Sequence, residues 1–334
     1  MTHVTVIGAG PSGSAAAITA LQAGSAVRIY EKSKYPRHKV CGEFLSPEVL
    51  PILEKLGVAV WLQSLKPPQF RNVVLHFPRS SKSFRLPGGS CGVSRHVLDA
   101  TLYERACGLG ALEVREVATP PFATSGPIVV ATGRAEKENG PTDKARRLFG
   151  FKAHFQGPVN DDVELFFFPG GYVGVNQVEG QVTNVCGLAT AALLGKFNYK
   201  VDELLHQHIG LRRRIEPLRR AIDWLHTGPL TFRHRFRETH DPSLYPAGDA
   251  LSFVEPFAGT GILAALVTGI SAAQSGIAGM TVDQHVRHCQ QRLERAFRVS
   301  TWLRRVIEAD LADVLAPLFP GRLLMKLTRP NSAG

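Results

Sequence analysis

The chain has 334 residues, 44% of them hydrophobic, and a formal net charge of +11 at pH 7. That length suits one large domain or two interleaved ones, and with no apolar run of about 18 residues it argues against a spanning helix. The five cysteines (Cys41, Cys91, Cys107, Cys186, Cys289) are odd in number and form no C-x-x-C pair, so neither a disulfide framework nor a metal site is expected.

The start, MTHVTVIGAG, goes directly into a strand and lacks the pattern of a secretory signal, which makes a cytoplasmic location the expectation. Residues 3–31 then read as strand, glycine turn, helix and strand. Val4, Val6 and Ile7 suit a parallel strand buried on both faces. Gly8, Gly10 and Gly13 form G-x-G-x-x-G: a tight turn, a close backbone approach for a pyrophosphate, and close helix–strand packing. Pro11 fits the first helical position, Ser12 follows it, and the helix N-terminus offers free amides and partial positive charge to a phosphate. Glu31 ends the second strand at the interval expected of an acid that binds ribose hydroxyls, and it disfavours a 2′-phosphate. A dinucleotide site is therefore expected, for FAD or NAD rather than NADP.

The next stretch, YEKSKYPRHKVCGEFL, places Arg37, Lys39, Cys41, Gly42 and Glu43 just beyond that acid. Residues 71–77 read as a strand, and residues 92–111 as a helix entered at Arg95, where a guanidinium would reach phosphate or adenosine. SGPIVVATGR, residues 125–134, reads as a third apolar strand. Residues 148–189 read as sheet with a Pro-Gly-Gly turn. Their aromatic residues (Phe151, Phe155, Phe166, Phe167, Phe168, Tyr172) either line an apolar cavity or pack a core.

Residues 244–273 decide between the two cofactors. A short strand leads to Gly248-Asp249, then a loop with Pro256, Gly259, Thr260 and Gly261 enters an Ala-rich helix. A second acid at a strand end, before a second glycine-lined helix start, suits FAD. Asp249 would accept from the ribityl hydroxyls, and the amides at Thr260 and Gly261 would face the isoalloxazine. The final segment, residues 284–334, carries nine Lys or Arg against four acids, with apolar residues on an approximate helical stripe. An anionic membrane surface and a solvated basic face both remain open for it, whereas no nucleic-acid-binding module is recognised.

In this order the motifs resemble flavoproteins of the glutathione-reductase-2 class. That class includes para-hydroxybenzoate-hydroxylase-type monooxygenases, flavin-dependent halogenases and geranylgeranyl reductases. Tyr35-Pro36-Arg37, Lys39 and Cys41-Gly42-Glu43 look like the P-R-x-K-x-C-G block of the geranylgeranyl reductase family. The resemblance implies an α/β fold: a Rossmann-type FAD-binding domain (residues 1–64, 92–147 and 239–283), an inserted antiparallel sheet as substrate domain (65–91 and 148–238), and a basic helical C-terminal region (284–334). It further implies that Arg37 and Lys39 neutralise phosphate or reduced flavin, that Gly42 lets the backbone pass the cofactor, and that Cys41 and Glu43 stand near the isoalloxazine as candidate catalytic groups. Phe168, Tyr172 and Asn176 are the expected substrate contacts. The sheet carries Tyr172-Val173-Gly174-Val175-Asn176 where geranylgeranyl reductases have Y-x-W-x-F-P, and the isolated Trp61, Trp224 and Trp302 depart from the W-x-W-x-I-P of halogenases. The expected activity is FAD-dependent reduction of an apolar lipid-, isoprenoid- or polyketide-like molecule, with NAD(P)H a candidate electron donor. A monooxygenase and a non-catalytic, membrane-associated FAD-binding protein are the alternatives.

Overall fold

The computed structural model describes residues 2–118, 126–134, 144–230, 241–253 and 259–308. Pro256 and the basic tail beyond Glu308 lie outside the described residues. In chain order the first half comprises β1 (His3–Ile7), α1 (Pro11–Gln22), β2 (Ala26–Tyr30), β3 (Phe44–Leu45), α2 (Val49–Lys55), α3 (Ala59–Ser64), β4 (Asn72–His76), β5 (Ser81–Arg85), β6 (Cys91–Gly92), α4 (Arg95–Gly108), β7 (Leu112–Val114) and β8 (Ile128–Val130). The second half comprises β9 (Leu148–Gln156), β10 (Asp162–Phe168), β11 (Gly171–Val178), β12 (Val182–Thr190), α5 (Ala191–Lys196), α6 (Val201–Leu205), α7 (Ile209–Ile215), β13 (Arg219–Arg220), β14 (Leu225–Leu230), β15 (Leu244–Pro246), α8 (Gly261–Ile277) and α9 (Val282–Glu308).

Two sheets organise these elements. The first is parallel throughout, in the order β15-β8-β1-β2-β7, so its members come from segments far apart in the chain. β1 and β8 at its centre are apolar on both faces because helices cover them, as buried parallel strands require: Val4, Val6, Ile128 and Val129 are all buried. α1 packs between α4 and α8, and its Ala15, Ala16, Ala17 and Ile18 have no exposed surface. α8 approaches α1 so closely that a Cβ on Gly269 would lie 2.0 Å from the Ser12 carbonyl oxygen.

The second sheet has the order β13-β9-β12-β11-β10-β4-β5, with β14 also on β9, and is antiparallel except where β4 meets β10. Strand alternation gives it two unlike faces. Phe151, Phe155, Phe166, Phe168, Val173, Val175 and Val185 form one face, packed on α5, α6 and α7 in their own core. Across the register Lys152, Cys186 and Gly174, and next to them His154, Asn184 and Asn176, form the other face. That face turns toward the parallel sheet. Among the described residues no helix is long and apolar enough to cross a membrane.

The Gly269 contact tests the α1–α8 packing. Gly269→Ala should destabilise the protein by about 2 kcal/mol through overpacking, seen as a lower urea midpoint. Gly108→Ala, whose Cβ would meet nothing within 4 Å, should be neutral or slightly stabilising. Equal midpoints for the two variants would contradict the close approach.

Candidate functional site

The turn between β1 and α1 builds one end of a groove. Gly8 has φ +94°, and a Cβ there would sit 2.4 Å from the Ala131 carbonyl oxygen, while one on Gly13 would sit 1.8 Å from the Gly8 oxygen. The fold itself therefore demands these two glycines. Gly10 differs: its Cβ would come no nearer than 4.0 Å to anything outside its chain neighbours, the nearest atom being Arg95 Nη2. Space above Gly10 is open beside a guanidinium and the N-terminus of α1, a suitable place for a pyrophosphate. Pro11 occupies the first helical position. The Ser12 side chain is buried against the Gly248 turn, and its hydroxyl has no partner among the described residues.

Glu31 is fixed for its role before any ligand arrives. Its carboxylate accepts from Ala9 N at 2.9 Å and Ser33 N at 2.8 Å, and Arg37 Nη2 stands 3.4 Å away. Burial works against its ionisation, but those amides and the charges of Arg37 and Lys39 outweigh it and hold its pKa below the ordinary carboxylate range. Tyr35 Oη donates to the Ala9 carbonyl at 2.6 Å and closes the turn.

At the other end, the backbone after β15 turns at Gly248, whose amide donates to Thr268 Oγ1 at 2.8 Å. Asp249 is open to solvent at its surface yet ringed so closely that lost hydration pushes its pKa up, against the pull of Arg95, Arg134 and Lys39. Gly259 has φ +63° and touches the Phe44 ring, while nothing lies within 4 Å of the Cβ positions of Gly261 or Gly42. Thr260 precedes α8 with its hydroxyl buried and unpartnered. Orphaned hydroxyls, vacant glycine positions and two helix N-termini together fit a long, anionic, hydroxyl-bearing cofactor.

Residues 35–43 form a strap between the two sheets. Its odd-numbered side chains serve the groove. Arg37 pairs with Glu31, the Arg95 guanidinium reaches the Cys41 thiol, and burial beside Arg95 and Arg37 pushes Lys39 down to about 8. The even-numbered ones face the second sheet. His38 stacks on His96 with centroids 4.5 Å apart and meets His154 edge-on at 5.0 Å, and Val40 fills the space over Gly150. Glu43 breaks the alternation. Its φ of +54° lies in the left-handed region, and it turns a carboxylate without exposed surface onto the second sheet. There it pairs with Lys152 Nζ and lies 2.7 Å from His154 Nε2, while the Arg95 backbone amide donates to it at 2.6 Å. Arg95 itself is clamped to Asp99 by bonds of 2.6 and 2.7 Å. Asn184 Nδ2 donates to the Cys41 carbonyl at 3.2 Å and lies 3.4 Å from Asn176 Oδ1.

No protein-family model matches the chain. A triple mutant of the flavin-dependent brominase Bmp2 shares its architecture with a TM-score of 0.80 at 18% identity, over 98% of this chain and 94% of that one. A geranylgeranyl bacteriochlorophyll reductase-like protein from Thermoplasma acidophilum gives a TM-score of 0.69 at 21% identity, over 98% of this chain and 90% of that one. The chain has a flavoprotein fold. In sequence, menaquinone reductase from Mycolicibacterium smegmatis is 46% identical over 61 residues, a match spanning 18% of this chain and 15% of that relative.

Within this flavoprotein fold the expected substrate residues divide. Asn176 and Tyr172 lie on the face that meets the strap. Phe168 does not: it points into the core beneath α5, α6 and α7, together with Phe151, Phe155 and Phe166. Alternation along β10 places Phe167, with Phe77 and Tyr172, on the strap's side instead. Lys152, His154, His38 and Glu179 escaped the sequence reading. Glu179, from the β11–β12 turn, accepts from Ser94 N at 2.8 Å and from its hydroxyl, so carboxylates from two distant segments cap α4. The only available signal was the strand period that sets Lys152 and His154 opposite to Phe151 and Phe155.

Burial and the neighbouring His154, Lys152 and His96 push His38 down to about 4, although Glu43 pulls the other way. An unfolded histidine takes up a proton near pH 6.5. The stability that His38 contributes is thus fully present above pH 6.5 and lost as pH falls toward 4. Urea midpoints of His38→Gln should fall less over that interval than those of the parent; parallel pH profiles would contradict the placement of His38.

Proposed function

We propose that this protein is an FAD-dependent oxidoreductase that reduces an apolar small molecule of isoprenoid-quinone or lipid type. The observation that carries the proposal is the groove itself. It is open at Gly10, bounded by Glu31 at one end and Asp249 at the other, and met by the N-termini of both α1 and α8. When bound, FAD supplies two-electron hydride chemistry. Glu31 would accept from the adenosine ribose, while the α1 N-terminus with Arg37, Lys39 and Arg95 would hold the diphosphate. Asp249 would take the ribityl hydroxyls, and Thr260 with Gly261 would direct the α8 dipole at the ring system. Cys41, next to Gly42 and met by Asn184 at its carbonyl and by the Arg95 guanidinium at its thiol, would be the thiol that contacts substrate or cofactor. The apolar neighbours on the same sheet face, Leu75, Phe77, Leu165, Phe167 and Tyr172, suit a hydrocarbon chain. The short likeness to menaquinone reductase and the fold shared with the geranylgeranyl reductase-like protein support that substrate class.

A monooxygenase is the second reading, favoured by the likeness in fold to the brominase across 98% of the chain. Against halogenation in particular, Trp224 packs on Phe151 and Phe155, away from the strap. Purified protein should be yellow, with absorbance at roughly 450 nm, and both Gly10→Ala and Asp249→Ala should weaken FAD binding about tenfold or more without lowering the urea midpoint. Anaerobically, dithionite-reduced protein should be reoxidised by a short-chain menaquinone in detergent. Oxygen uptake coupled to NADPH oxidation, with no anaerobic reoxidation, would transfer the case to the monooxygenase. Colourless protein after reconstitution would end both.

We further propose that α9 brings the protein to anionic lipid, where such a substrate resides. Its buried stripe (Val282, His285, Cys289, Leu293, Ala296, Phe297, Ser300) faces the core, while Arg287, His288, Arg295, Arg298 and Trp302 are exposed. Trp302 is 41% exposed at the end of this basic row, an amphipathic side chain suited to a membrane interface. Co-sedimentation with phosphatidylglycerol vesicles should exceed that with phosphatidylcholine vesicles and should fall with salt and in a triple Arg287→Glu, Arg295→Glu, Arg298→Glu variant. Equal binding to both vesicle types would overturn it.

A further inference from the structure

Glu43, Lys152 and His154 form a buried ionic cluster between the strap and the second sheet, with Glu43 and Lys152 fully excluded from solvent. Such a cluster needs a reason. A buried pair recovers little net stability after its charges are desolvated, so stability alone does not account for it. Its geometry supplies something else. Glu43 touches two other segments at once: β9 through Lys152 and His154, and the first backbone amide of α4 through Arg95. The backbone on either side is held as well. Glu43 N donates to Cys41 Sγ at 3.4 Å, Val93 N donates to the Glu43 carbonyl at 3.1 Å, and Asn184 fixes the Cys41 carbonyl. The left-handed backbone at Glu43 is strained for a non-glycine residue and persists only where the surroundings impose it.

We propose that Lys152, backed by His154, is a positioning residue: by holding the Glu43 carboxylate it fixes the strap that presents Arg37, Lys39 and Cys41 to the cofactor groove. Affinity for FAD is then set in part from a strand of the other sheet, 109 residues along the chain from Glu43. The cofactor clause rests on the FAD reading above; the strap clause stands without it. Removing Lys152 strands a carboxylate that has lost its cation, and whether Glu43 then takes up a proton or swings out toward water, the charged bonds that hold the strap are lost and the strap is freed. Arg37 and Lys39 would then leave the groove with it. Replacing both partners by neutral side chains removes the cause of that movement.

Two measurements test this. Hydrogen exchange of the apoprotein reads the strap directly. In Lys152→Met, amides 35–43 should exchange at least about tenfold faster (about 1.4 kcal/mol of local opening), with β1 and α8 unchanged. In Lys152→Met combined with Glu43→Gln, the strap should return most of the way to wild-type protection. FAD titration of the same proteins by fluorescence quenching should give a Kd raised about tenfold or more in Lys152→Met, with the double variant binding no more weakly than either single one. Wild-type strap protection in Lys152→Met, a uniform rise in exchange over the whole chain, or losses that add in the double variant would each overturn the proposal. Should Lys152→Met fail to fold, His154→Gln decides: it keeps the cation, and its exchange should rise in the strap alone. If wild-type protein binds no FAD, the cofactor reading falls while the exchange experiment still decides the role of Lys152.

Discussion

One carboxylate without exposed surface ties this molecule together. Glu43 joins the N-terminus of α4, the strap and the second sheet through the Arg95 amide, Lys152 and His154, where no water competes for the bonds. In such surroundings burial alone would favour a neutral acid. His154 and Lys152 reverse that and hold the Glu43 pKa below its usual range. The carboxylate is kept charged by its partners, and its partners are held in place by the charge.

The arrangement of the groove follows from this anchor. Once Glu43 faces the sheet and Cys41 is bonded to Asn184, the residues before them fall into alternation, with cations on the groove side and His38 and Val40 on the other. Arg37, Lys39, Arg95 and Arg134 then converge on a region whose acids, Glu31, Asp99 and Asp249, are too few to balance them. Burial first, and then Arg95 and Arg37, push the Lys39 pKa down to about 8. A diphosphate relieves the excess of cations, and the open space above Gly10 is where one fits.

The two sheets do different work. The parallel sheet gathers β1, β2, β8 and β15 so that acids from residues 31 and 249 reach the same side of the molecule. The second sheet gives one face to a hydrophobic core and reserves the other for polar and apolar groups that meet the strap. The strap meets both sheets, through Arg37 and Glu31 on one side and Glu43, Lys152 and His154 on the other.

Much of the nucleotide half was legible in the sequence because its determinants are local. The G-x-G-x-x-G turn, the proline at the first helical position, Glu31 at a strand end and Gly248-Asp249 before a second helix each dictate a backbone shape within a few residues. Phe168 misled because which way a side chain points is settled by what packs against it, here the α5–α7 helices. His38, Lys152, His154 and Glu179 carry no local signature at all. They matter only because strands far apart in the chain pair in register, and a strand written one residue out of phase would send Lys152 to the core and Phe151 to the strap. The sequence alone thus determined the backbone forms suited to a dinucleotide. Tertiary packing decided which charges would be shut away from water together, since desolvation and pairing depend on distances between segments that chain order does not set.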